Sequence, residues 1–125
     1  MASHMQRTLN EIKKNKLRYW IVERWCPHTR RRIDLFNIID LLVLDQDIIG
    51  VQVCGADFSA HVNKLRNDEA ESTMAWLESG GRLQIWGWRK VKVKRGGKQM
   101  VWKPRIADVL LVQNEIYVEE SCNSK

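Results

Sequence analysis

The sequence predicts a mixed α/β (α+β) fold in which helices flank a central mixed β-sheet. Three observations carry that expectation: an amphipathic segment opens the chain, a group of β-branched and aromatic runs follows it, and a second helical stretch separates these runs from a further set of strands. With 125 residues, 44% of them apolar, the chain is long enough for one core and too short for two. A single domain is therefore expected over residues 6–120. The opening "MASHM", residues 1–5, reads as a cloning remnant, which removes His4 from any count of ligands, and residues 121–125 read as a tail.

Taken in order, "QRTLNEIKKNKL" (6–17) places Leu9, Ile12 and Leu17 near one face at helical spacing, with Thr8 or Asn10 available as a cap. "RYWIVERW" (18–25) has the composition of a strand and stops at Cys26-Pro27. Residues 33–44 and 48–54 read as two strands joined by the polar connection Asp45-Gln46-Asp47, and the apolar run from Ile38 to Leu44 implies burial on both faces. Residues 59–79 read as one helix, with Val62, Leu65, Trp76 and Leu77 among its apolar positions and Gly80-Gly81 as its stop. "RLQIWGWRKVKVK" (82–94) alternates as a strand does. Gly96-Gly97 then turns the chain into "QMVWKPRIADVLLV", where Pro104 marks an edge or a bulge.

No apolar run approaches the roughly 18 residues of a membrane span, and nothing resembles a secretion signal, so a cytoplasmic protein with no membrane partner is expected. Cys26, Cys54 and Cys122 match neither a zinc motif nor a disulfide framework and should be free thiols. The formal charge of +6 favours a polyanionic partner.

The chemistry concentrates in "NIIDLLVLDQDIIGVQVC" (37–54). An ionised Asp40 inside an apolar strand costs several kcal/mol unless a cation pairs with it. Gln52 and Cys54 lie two residues apart and share a face that a hairpin can lay beside Asp40. A carboxylate and an amide oxygen together suit a hard cation such as Mg²⁺. The competing reading is structural: Asp40 at a sheet margin bonding Arg30, Arg31 or Arg32.

The run Glu11, Asp40, Gln52-Val53-Cys54 resembles the PD-(D/E)xK nuclease superfamily, in particular the archaeal and phage type of Holliday junction resolvase. Between Glu11 and Asp40 lie 28 residues, and between Asp40 and Gln52 lie 11, which is similar to that family's layout. The likeness covers residues 8–105 and implies a restriction-endonuclease-like αβββαβ core. It also implies a Mg²⁺- or Mn²⁺-dependent endodeoxyribonuclease cutting branched or structured DNA in recombination, active as a homodimer. Glu11, Asp40 and Gln52 would then hold the metal. The motif is atypical: Gln52 stands where the family most often has Glu, and Cys54 stands where it has the catalytic Lys. His61 and Lys64, three apart on the next helix, share a face, and Lys64 is the first choice to replace the missing ammonium. Glu23 is a weaker acidic candidate.

A second constellation is basic and aromatic. Lys90, Lys92 and Lys94 recur at strand period after Trp86, Trp88 and Arg89, with Trp102 across the turn, and could track a phosphate backbone, or could simply protect an edge strand. The tryptophans suit a core better than a binding face. Arg30, Arg31 and Arg32 could clamp phosphates near the metal. Because the lysine is missing, a catalytically inactive DNA-binding module with the same fold is the alternative to the enzyme. An interaction protein with no nucleic-acid role is a third reading.

Overall fold

The computed structural model describes residues 2–120 and is a mixed α+β fold. A six-stranded sheet has the order β1-β4-β5-β6-β7-β8, where β1 is Arg18–Ile21, β4 Leu41–Asp45, β5 Asp47–Cys54, β6 Arg82–Lys92, β7 Met100–Val112 and β8 Glu115–Glu120. Strands β5 and β6 are parallel and every other neighbouring pair is antiparallel. A separate hairpin of β2, Arg24–Cys26, and β3, Arg31–Ile33, branches from the end of β1.

Helix α1, His4–Lys14, is capped by the Ser3 side chain, which accepts from the Gln6 N–H, and it covers one face of the sheet. Leu9 and Ile12 close that face over Leu41, Val43, Ile49 and Val51. The opposite face carries α2, Phe58–Asn63, and α3, Ala70–Glu78, packed over Ile39, Leu83, Ile85 and Val109. Parallel pairing of β5 and β6 requires such a crossover, since a tight turn can only reverse the chain.

Several expected elements are divided. The predicted helix over 59–79 is two helices joined by a π-turn, Lys64–Asp68, closed by a bond from the Glu69 N–H to the Lys64 carbonyl at 2.8 Å. The expected strand over 18–25 is β1 and β2, bent where the N–H groups of Val22 and Glu23 both donate to the Asp40 carbonyl. The expected strand over 33–44 breaks into β3, a loop over 34–40 and β4. Phe36 and Asn37 take positive φ there (54° and 63°), which a strand cannot contain. Asp40 thus sits at the margin of β4, not in its middle. Burial of β4 on both faces also fails at its far end: Leu44 is exposed in an open groove with Arg18, Trp20 and Leu42.

Among the described residues, strand β6 beyond Gly87 has no partner on the β5 side, and β7 before Ala107 has none on the β8 side. The β6–β7 hairpin therefore projects from the sheet as a two-stranded arm. Its root is tied down. The Trp88 Nε1–H donates to Thr8 Oγ1 at 2.8 Å, and the Arg105 guanidinium lies 4.2 Å over the Phe58 ring. Of the tryptophans expected in the core, Trp88 is buried and Trp86 half-buried, while Trp102 is exposed on the arm. By sequence, Ile85, Trp86, Val101 and Trp102 are the apolar candidates for a homodimer surface, but Ile85 is fully buried and cannot contribute to one. No helix among the described residues is long and apolar enough to cross a membrane. Cys122 and the tail lie outside the described residues.

Candidate metal centre

The loop over 34–40 brings together carboxylates that the sequence keeps apart. Six residues of extended strand would separate Asp34 from Asp40 by about 20 Å. The left-handed turn at Phe36-Asn37 folds the segment back, and Leu35 bridges Ile39. The bend after β1 then delivers Glu23. Oxygens of Glu23, Asp34 and Asp40 lie within 4.8 Å of one another, and Asp40 is only 6% exposed.

Asp40 is held by the Val53 N–H, which donates to its Oδ2 at 2.8 Å. Burial, the hydrogen bond it shares with Asp34 and the negative charge of Asp34 and Glu23 push its pKa up to about 8. The other two carboxylates have cations at hand. Arg32 donates to Glu23 Oε1 at 2.8 Å, and the Lys64 ammonium lies 3.6 Å from Asp34 Oδ2. Three carboxylates against two cations leave Asp40 without its own counter-charge among the described residues. A hard divalent cation taking carboxylate oxygens from Asp34, Asp40 and Glu23 would supply it, so the residues fit such an ion. A cavity of about 270 Å³, lined by Arg31, Arg32, Asp34, Asn37, Lys64 and Glu69, opens beside the cluster.

Two of the three expected ligands are not part of this arrangement. Glu11 lies on α1, against the opposite face of the sheet, in a cleft with Asn15, Asp45, Arg82 and Asp108, and it is not among the carboxylates that converge. Gln52 is adjacent, but it turns its nitrogen toward the carboxylates. Its Nε2 donates to the Ile38 carbonyl at 3.1 Å and to Asp34 Oδ2 at 3.4 Å, while its Oε1 faces His61 Nδ1 at 3.1 Å. Exchanging the two ends of the amide would set oxygen against the Ile38 oxygen. The carbonyl of Gln52 is thus committed to His61, not to a metal.

His61 and Lys64 do share a helical face turned to the site, as their spacing predicts, His61 against Gln52 and Lys64 against Asp34. His61 Nε2 also meets Asp57 Oδ2 at 3.0 Å, and its two contacts are met together when both ring nitrogens donate. Cys54 is buried, and its thiol is pushed up to about 12 by burial and by the charges of Asp57 and Asp40. It is neutral at neutral pH and cannot replace an ammonium. Arg31 and Arg32 stand at the mouth of the site, with Arg30 in the turn before them. Lys90 and Lys92 share one face of the arm with Trp102, Arg89 lies on the other, and Lys94 falls in the tip turn.

Sequence reasoning passed over Asp34, which looked like one more strand residue. The only available signal was Asn37, a residue that tolerates the left-handed turn. Comparison with protein-family models, curated proteins and solved structures finds no match to this chain.

Proposed function

We propose that the chain is a metal-dependent endonuclease acting on branched or structured DNA, in the manner of a Holliday junction resolvase. One observation carries this reading: three carboxylates, Glu23, Asp34 and Asp40, converge within 4.8 Å beside a lysine 3.6 Å from Asp34. Support also comes from the strand arrangement, in which a helix, three antiparallel strands, a helical crossover and a parallel strand follow one another as the resemblance implies. Mg²⁺ or Mn²⁺ held by these carboxylates would supply a polarised water and charge stabilisation at phosphorus. Lys64 provides an ammonium fixed beside the reacting phosphate's position, and Arg31 and Arg32 draw the flanking phosphates into the cavity. Asp40, retained on a rigid strand margin, orients the cluster. Resolving a two-fold junction needs paired nicks, so the active species is a homodimer. Free thiols at Cys26 and Cys54 suit the cytoplasm.

A second reading is a catalytically inactive DNA-binding module. It is favoured by the Gln52 amide nitrogen facing the carboxylates, where a further oxygen ligand would be more use to a metal. Incubating labelled four-way junction and linear duplex with Mg²⁺, Mn²⁺ or EDTA separates the two. Cutting in metal alone, lost in Asp34→Ala, is the result expected of the enzyme. A gel shift without cutting in any metal would refute it and leave the module.

A further inference from the structure

The charge of this protein is segregated. Residues 80–107 contain nine lysines and arginines and no aspartate or glutamate, whereas the rest of the chain holds twelve cations against fifteen carboxylates. Seven of the nine lie on the projecting arm between Arg89 and Lys103, and none of those seven forms an ion pair among the described residues. Protecting an edge strand needs a charge or two of either sign. An array of one sign, this dense and unpaired, repels itself and attracts a polyanion strongly.

The shape narrows the partner. From Gly87 to the tip at Arg95 the arm reaches about 26 Å at strand rise, the length of roughly eight base pairs. Past the point where Arg7 and His4 at the start of α1 meet Trp102, it is a two-stranded ribbon, closed by a tight turn in which the Gly97 N–H bonds the Lys94 carbonyl at 3.0 Å and Gly96 takes φ of 78°. The major groove of B-form DNA is wide enough for such a ribbon, and the deep, narrow groove of duplex RNA is not. On one face the Trp102 ring gathers two cations, Arg7 of α1 at 3.8 Å and Lys90 at 5.4 Å, so the positive charge of the arm continues onto the start of α1. Because β5 and β6 are parallel, the arm leaves the same end of the sheet that holds Gln52 and the carboxylates.

We infer that the arm is a duplex-reading element that lies in the major groove of B-form DNA, to one side of the carboxylate cluster. The inference deepens the nuclease reading by naming the substrate flank, a DNA duplex of about eight base pairs. Binding is measured by fluorescence anisotropy in EDTA, so cleavage plays no part. The probes are a DNA duplex of about two helical turns, the same duplex as RNA, and one DNA strand alone. The variant Lys90→Ala/Lys92→Ala/Lys94→Ala/Arg95→Ala removes four exposed charges. A control, Lys13→Ala/Lys14→Ala/Lys16→Ala/Arg18→Ala, removes four from the opposite end of the sheet. The arm variant is expected to bind duplex DNA at least about tenfold more weakly, with the log–log salt slope reduced by about 3 to 4. The control should stay near the parent, and duplex RNA and single strand should bind the parent less well than duplex DNA. Equal losses in both variants, or parent binding indifferent to duplex form, would overturn the inference. Loss of cutting activity alone would bear on the nuclease reading and not on the arm.

Discussion

Replacing Asp40 by Asn should make the metal-free protein more stable at neutral and alkaline pH. The carboxyl titrates near 3.8 when exposed and is pushed up to about 8 in the fold, so the native state retains a proton that the unfolded chain releases. Stability from this group is fully present below pH 3.8, declines as pH rises, and is lost as pH passes through about 8. Between pH 5 and 8 the difference approaches one proton, at about 1.4 kcal/mol per pH unit, which amounts to roughly 4 kcal/mol. In Asp40→Asn the amide oxygen can still accept from the Val53 N–H and the amide nitrogen can take over the bond toward Asp34, so that slope should vanish. Urea denaturation of both proteins in EDTA, at unit steps from pH 5 to 8, measures it. Other titrating groups are common to the pair and cancel. Added Mg²⁺ should stabilise the parent at pH 8 and have much less effect on the variant, since the cation takes the place of the proton. Parallel stability profiles for the two proteins would refute the buried-acid argument, and an equal response of both to Mg²⁺ would refute the cation's role.

Glu11→Gln should cut as well as the parent, because Glu11 lies across the sheet from the cluster; a hundredfold loss in single-turnover cleavage would return it to the site. Lys64→Ala should reduce cleavage by at least about a hundredfold while leaving Mg²⁺-dependent stabilisation intact, as expected for a group that stabilises charge at phosphorus without ligating metal. Cys54→Lys, which would place an ammonium where the resembled nucleases carry one, should lower stability by several kcal/mol instead of raising activity, since the side chain enters a pocket formed with Phe58 and Gly87. Thermal melts alongside cleavage assays decide that case, and a stable, faster enzyme would show that the pocket opens to the metal.

The αβ order was legible because its signals are local and repeated. The helical period of Leu9 and Ile12, the β-branched runs and the paired glycines each specify one element without reference to the others. Asp40 and Lys64 were legible for a related reason: a charge inside an apolar run and a three-residue spacing are visible along the chain. Asp34 and the role of Gln52 were not. Asp34 reaches the site through a reversal at Phe36-Asn37 whose conformation is imposed by Ile38 and Ile39 burying in the core. The orientation of the Gln52 amide depends on a carbonyl fourteen residues away, a contact no periodicity announces. Division of the long helix was hidden as well, since a π-turn keeps the composition of an α-helix and alters only its phase.

That phase has a consequence for how the protein can change. The extra residue in the turn Lys64–Asp68 lets Lys64 face the carboxylates while Leu65, wholly buried, and Thr73 on α3 both reach the core. Deleting one residue there would restore a regular helix and rotate everything downstream by about 100°, carrying Thr73 and Trp76 off the sheet. Keeping α3 in place would instead swing the lysine away from Asp34. The chain can therefore lose its ammonium by a single substitution, but it cannot shift that ammonium along the helix without refitting a whole layer of the fold, which makes the turn a point of evolutionary lock-in.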